Sequence, residues 1–219
     1  MKKQHLPAKI LIVDDHPLVR EGLAMRISLH PDLSVCGEAD SENEALALVS
    51  GIGPELVLID ISLKSGHGLD LIKRIHALNP AIKMLVISGF QESLYAERAF
   101  RAGALGYLNK QQSNEKLIEA IRTVLAGKRF LSPEISRRLI EQALGTSDMT
   151  RTPIERLTDR ELEIFRMIGE GLTTSVIASQ LFLSTHTIDT HRENIKRKLA
   201  VTTATELSRT AVQWVLENG

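Results

Sequence analysis

Three short apolar runs in the first half of the chain each end in a polar side chain. Ile10-Leu11-Ile12-Val13 runs into Asp14-Asp15, Leu56-Val57-Leu58-Ile59 into Asp60, and Met84-Leu85-Val86-Ile87 into Ser88. Unbroken β-branched and leucine runs of this length suit strands covered on both faces, the situation of a parallel sheet. Residues 33–36 and 105–108 are weaker candidates, so five strands are expected. Between them, 17–29, 42–50, 69–78, 93–102 and 114–126 have helical periodicity. Ser41 followed by Glu44 reads as a capping box opening the second of these helices. Strand and helix alternating five times define a doubly wound α/β domain.

The pattern changes after Gly127. Pro133 stands at the start of an expected helix over 134–144, and residues 145–148 and 150–153 read as a linker. From Leu157 on, every apolar repeat is helical. Thr158 and Glu161 form a capping box ahead of Leu162, Ile164, Phe165, Met167 and Ile168, and Gly171 closes that helix. Thr173 caps a helix over 174–181, Ser184 caps 185–199, and Thr203 opens a last helix to about Glu217. The expected divisions are an α/β domain over 9–126, a linker with its own helix over 127–153, and a small four-helix domain over 154–219.

In an open parallel sheet, ligands bind at the carboxyl ends of the strands where the strand order reverses. Asp14, Asp15 and Asp60 are expected there, with Ser88 and Lys110 following two further strands. Like carboxylates converge at a cost unless a cation neutralises them, and an oxygen-rich site with few ligands suits Mg²⁺. A lysine and a serine opposite would contact phosphoryl oxygens. Taken singly, an aspartate after a strand is a helix cap, a serine a turn residue and a lysine a solvated charge. Their order along the chain makes the set informative.

The segments VDDHPLVREGL, LVLIDISL, LVISG and GALGYLNK, spread from about Lys9 to Ala126, resemble a response-regulator receiver domain of flavodoxin-like, five-stranded parallel fold. That resemblance implies Asp60 as phosphoacceptor, Asp15 as a direct Mg²⁺ ligand, and Asp14 as an acid acting through water. It also implies the Ser62 carbonyl as a further metal ligand, Ser88 and Lys110 as phosphoryl-oxygen contacts, and Tyr107 as an aromatic switch. Two positions depart from the family pattern: Lys64 stands where proline is frequent, four residues after the phosphoacceptor, and Gln111 follows Lys110.

In the second half, residues 174–181 and 185–199 are joined by a tight turn at Phe182 and Leu183, the spacing of a helix-turn-helix over about 173–192. Ile188, Ile195 and Leu199 form the expected buried stripe. Arg192, Lys196, Arg197 and Lys198 outnumber Asp189 and Glu193, a local positive excess in a chain of zero formal net charge. A basic face suits contact with phosphates and major-groove edges, although a solvated face is the plainer reading. The stretch LTDRELEIFRMIGEGLTTSVIASQLFLSTHTIDTHRENIKRKL resembles a LuxR-type DNA-binding domain, and the two halves together resemble the NarL/FixJ family of response regulators. The resemblance implies a recognition helix in the major groove. Thr185, Thr187, Asp189, Thr190, Glu193 and Arg197 then face DNA, and Thr173, Thr174, Arg192 and Lys196 contact phosphates. His186 and His191, with no cysteine nearby, read as packing or capping groups rather than zinc ligands.

The implied function is transcriptional regulation in a two-component phosphorelay. Its expected partners are double-stranded DNA with two-fold half-sites, a sensor histidine kinase, and a second copy of the chain in the active state. Val212, Val215 and Leu216 are a candidate dimer surface. No enzymatic turnover beyond self-phosphorylation and self-dephosphorylation is expected. One cysteine, Cys36, fits a reducing cytoplasm, and no apolar stretch approaches the roughly 20 residues of a membrane span. Two alternatives stay open: a DNA-binding regulator that works without phosphorylation, and an Mg²⁺-dependent phosphohydrolase. Haloacid-dehalogenase-like enzymes need a second aspartate two residues after the nucleophile. Here His16 or Pro17 stands in that place.

Overall fold

The computed structural model describes residues 6–63, 66–112, 114–143 and 152–218. Five parallel strands, β1 (Ala8–Val13), β2 (Leu33–Ala39), β3 (Leu56–Ile59), β4 (Lys83–Ser88) and β5 (Gly106–Asn109), form one sheet in the order β2-β1-β3-β4-β5. Five helices alternate with them: α1 (Pro17–Ser28), α2 (Glu42–Ile52), α3 (Gly68–Leu78), α4 (Glu92–Ala102) and α5 (Asn114–Leu125). The order reverses between β1 and β3, so a crevice opens where the first and third strands end.

The apolar runs are continuous because both faces are covered. Ile10, Ile12, Leu56, Leu58, Leu85 and Ile87 pack with Leu23 and Ile27 of α1 and with Leu117, Ile121 and Val124 of α5. The alternate residues Leu11, Val13, Val57, Ile59, Met84 and Val86 are also fully buried. Each such side chain contributes about 1.5–3 kcal/mol, enough to hold the strand ends in a defined place. β2 is longer than its apolar core suggests. It carries one extra residue, Cys36, at a register shift against β1 between Ile10 and Leu11. The capping box expected at Ser41 does not form. Ser41 makes no side-chain cap bond, and the Glu44 carboxylate accepts from the Asp40 backbone N–H instead, at 3.0 Å.

The chain divides into two units within α6 (Pro133–Ala143), between Ser136 and Arg137. The second unit contains α7 (Asp159–Gly169), α8 (Thr174–Gln180), α9 (Thr185–Leu199) and α10 (Ala204–Asn218). Its helix ends are set by local chemistry. The Thr158–Glu161 capping box is complete, and Gly171 at φ 83° lets the N–H groups of Gly171 and Leu172 bond Ile168 and Met167. Helix α7 packs against α9 and α10 around Phe165 and Trp214, whose ring centroids lie 5.6 Å apart. A Cβ at Gly169 would stand 2.4 Å from the Ala211 carbonyl, so glycine permits the close α7–α10 approach. Residues 145–151 of the expected linker, and Lys64, lie outside the described residues.

Candidate functional site

Strand β1 delivers Asp14 and Asp15 to the crevice, β3 delivers Asp60, β4 ends in Ser88, and Lys110 follows β5. Backbone bonds between these ends hold them in step: Asp60 N–H to the Val13 carbonyl at 2.8 Å, and Lys110 N–H to the Ser88 carbonyl at 2.9 Å. All three acids are buried, and Ser88 is fully so. The Lys110 ammonium bridges two of them, 2.6 Å from Asp14 Oδ2 and 2.8 Å from Asp60 Oδ2. A cation between converging carboxylates offsets their mutual repulsion.

That offset is partial at Asp60. Burial, with Asp14 adding to it, pushes the Asp60 carboxyl up to about 6, against the pull of Lys110 and of the Ser62 backbone N–H. Burial works against the Lys110 charge, yet Asp60 and Asp14 outweigh it and hold the ammonium above its ordinary range. Asp60 Oδ1 is buried and accepts no hydrogen bond among the described residues. Asp15 Oδ1 is likewise without a hydrogen bond, although His16 Nδ1 lies 2.8 Å from it in poor alignment. One ligand atom from each of Asp14, Asp15, His16 and Asp60 can be chosen so that all lie within 4.8 Å of one another. Orphaned buried carboxylate oxygens around so small a volume fit a hard divalent cation.

Several residues that sequence reasoning did not single out shape this site. The Arg20 guanidinium donates to the Asp14 carbonyl at 2.6 Å. The Asp60 loop folds back through a bridge between Ser62 and His67, and His67 Nδ1 accepts from Leu69 N–H at the start of α3. A Cβ on Gly68 would stand 2.2 Å from the Asp60 carbonyl oxygen, so α3 begins against the acid's own backbone only because residue 68 is glycine. Nothing in the local pattern separates Gly68 from other helix-start glycines.

Tyr107, the expected switch, is buried. Its hydroxyl donates to the Phe90 carbonyl at 2.9 Å, burial raises its phenol above the ordinary value, and a hydrogen bond with Ser88 opposes that rise. Ser88 Oγ accepts from Phe90 N–H. The chain leaving β5 and α5 returns along this edge. Phe130 bonds Leu105 and Tyr107 through its N–H and carbonyl, and Ser132 N–H donates to the Glu92 carboxylate at 3.2 Å before Ser132 Oγ caps α6. The route out of the first unit is thus bonded directly to the Tyr107 backbone and to the first residue of α4.

In the second unit, Thr173 and Ser184 cap α8 and α9 through bonds to Val176 and Thr187 N–H. The turn between them closes with Phe182, a residue 87% exposed, in the left-handed region at φ 53°. Ile188 and Ile195 are buried as expected, whereas Leu199 is only half-buried. Thr173, Thr185, Asp189, Thr190, Glu193 and Arg197 are exposed, and Thr174, Thr187 and Arg192 are half-buried. Two of the four basic residues counted on α9 are engaged: Lys196 by Glu193 at 2.8 Å, and Lys198 by the buried Glu161 at 2.5 Å. Arg192 and Arg197 are left as the α9 basic residues without an ion pair among the described residues, a smaller positive excess than the residue count implies. His191 Nδ1 is buried within the packing. On α10, Val215 packs at Gly169, while Val212 and Leu216 are exposed four residues apart.

Residues 10–122 match the response regulator receiver domain, and residues 155–211 match the luxR family of bacterial regulatory proteins. The chain is 34% identical to the response regulator GacA of Pseudomonas aeruginosa over 94% of its length and 95% of that protein's. It is 30% identical to the nitrate/nitrite response regulator protein NarL of Escherichia coli, over 95% of each. Among solved structures it is similar to a LuxR-family two-component response regulator from an Aurantimonas species, at 36% identity and a TM-score of 0.58, covering 63% of this chain and 99% of that one. It also shares the fold of RcsB from Salmonella enterica serovar Typhimurium, solved on promoter DNA with the phosphomimetic BeF3⁻. That match has 23% identity and a TM-score of 0.71, covering 93% and 98% of the two chains.

Proposed function

Because the chain belongs to the NarL/FixJ family of two-component response regulators, we propose that phosphoryl transfer to Asp60 controls how its LuxR-type domain binds DNA. The observation that carries this reading is the cluster itself: Asp60 and Asp15, each buried with an orphan oxygen, beside Asp14 and a lysine that bridges Asp14 and Asp60. With its carboxyl at about 6, Asp60 is ionised at neutral pH and can act as a nucleophile. An Asp60 oxygen forms the new bond to phosphorus as the P–N bond of a sensor kinase's phosphohistidine breaks, and the kinase histidine departs with that bond's electron pair. Asp14, Asp15, Asp60 and the Ser62 carbonyl would hold Mg²⁺, which supplies neutralisation of the charge that develops on the phosphoryl oxygens. Lys110, already 2.8 Å from Asp60, and Ser88 are placed to hold those oxygens afterwards.

Transmission follows the same edge. A Ser88 hydroxyl drawn toward an acyl phosphate shifts its bonds with Phe90 and Tyr107, and with them the β4–α4 turn that carries Glu92. Glu92 and Tyr107 in turn hold residues 130–132 at the start of α6. Full switching needs a difference of about 5 kcal/mol between the two states. Thr185, Asp189, Thr190 and Glu193 on the exposed face of α9 would meet the major groove. Thr173, Thr174, Arg192, Lys196 and Arg197 would meet the backbone, and two copies would read two-fold half-sites. The protein acts in the cytoplasm on this reading, and among the described residues no helix is long and apolar enough to cross a membrane.

The test is binding to genomic fragments with and without acetyl phosphate and Mg²⁺, beside Asp60→Asn protein. Binding that tightens only in the wild type supports the phospho-switch. Equal binding in every sample keeps DNA binding and removes the switch.

A further inference from the structure

On the reading that the acid cluster holds a divalent cation, we propose that His16 is a nitrogen ligand of that ion and biases the site toward transition ions such as Mn²⁺ over Mg²⁺. His16 Nδ1 lies 2.8 Å from Asp15 Oδ1 and is hydrogen-bonded to Asp14 Oδ1 at 3.3 Å. Neighbouring ligands of an octahedral ion at about 2.1 Å are separated by about 3 Å along an edge, so an ion that displaces the Nδ1 proton would find these atoms already at ligand spacing. The contact with Asp15 is poorly aligned for a hydrogen bond, leaving Asp15 Oδ1 as an orphan, and Asp60 Oδ1 is a second one. Lys110 occupies the Oδ2 atoms of Asp14 and Asp60 and so leaves Asp60 Oδ1 to an ion.

The backbone supports the ring's position. His16 N–H donates to Asp14 Oδ1 at 2.9 Å, which ties the base of the imidazole to the cluster. The side chain is 62% exposed, so the ring can adjust to an ion without disturbing the core. It makes no cap bond to α1, so its loss leaves the helix start unchanged. Carboxylates alone suit Mg²⁺, whereas one neutral imidazole raises affinity for Mn²⁺ and later first-row ions far more than for Mg²⁺.

The experiment is pulsed electron paramagnetic resonance of the full chain loaded with Mn²⁺, with and without ¹⁵N-histidine, together with competition between Mn²⁺ and Mg²⁺. A histidine nitrogen coupling is expected in the wild type and absent in His16→Ala. The same substitution should weaken Mn²⁺ at least ~10-fold and Mg²⁺ much less. Mn²⁺ bound without nitrogen coupling, or an unchanged Mn²⁺/Mg²⁺ ratio in His16→Ala, overturns the role of His16 alone. Failure of the wild type to bind either ion overturns the cation site itself.

Discussion

Replacing Asp60 with asparagine should stabilise the first unit at neutral pH when no divalent ion is present. Burial lifts the Asp60 carboxyl from 3.8 to about 6, so once ionised it costs the folded state about 3 kcal/mol relative to the unfolded chain. The sign follows from proton counts. Between pH 3.8 and about 6 the folded protein binds more protons than the unfolded one, so stability falls as pH rises through that window and stays lowered above it. Below the window the group is neutral in both states and contributes nothing. Asp60→Asn removes the cost, while Lys110 keeps its 2.6 Å contact with Asp14, so a gain of about 1–3 kcal/mol is expected at pH 8. The assay is urea unfolding in EDTA at pH 8, 6 and 4, followed by circular dichroism. Trp214, the sole tryptophan, belongs to the second unit and identifies that unit's transition by fluorescence. The gain should be nearly full at pH 6 and fall to a small fraction near pH 4. Equal stabilities at pH 8, or a gain of the same size at pH 4, would refute the argument that burial strains this carboxylate.

Lys110→Met leaves the buried Asp14 and Asp60 without their bridging cation and should cost about 3–5 kcal/mol in EDTA. Added Mg²⁺ should restore much of that loss in thermal melts, and no recovery would count against the cation site. Gly68→Ala forces a Cβ to 2.2 Å from the Asp60 carbonyl and should cost about 1–3 kcal/mol. It should also slow phosphorylation by acetyl phosphate, followed by mass spectrometry; an unchanged rate would mean the loop relaxes freely. Glu92→Ala removes the acceptor for Ser132 N–H. It should leave Asp60 phosphorylation intact while the phosphorylation-dependent rise in DNA affinity shrinks. A full rise in gel-shift titrations would remove this route of coupling.

Much of this protein is legible in the order of its residues because the relevant interactions are local or periodic. Unbroken apolar runs announce strands buried on both faces, and whatever follows such a run stands at the sheet's carboxyl edge, so Asp14, Asp15, Asp60, Ser88 and Lys110 could be grouped without coordinates. The caps at Thr158, Thr173 and Ser184 join side chains to N–H groups three residues on, a distance that sequence reports directly. The capping box at Ser41 marks where even this fails, since Glu44 finds the Asp40 N–H instead. Only the tertiary structure decided that Lys110 would bridge Asp14 and Asp60. It likewise turned His16 toward the acids, let α3 start against the Asp60 carbonyl at Gly68, and drew Lys196 and Lys198 on α9 into ion pairs. It also ran residues 130–132 back along β5. Apart from the local Lys196 pair and the contacts of His16 with its own neighbours Asp14 and Asp15, these depend on groups brought together from different elements, and on how far the packing excludes water. Desolvation and Coulomb energy are set by those spatial neighbours, and a one-dimensional pattern does not contain them.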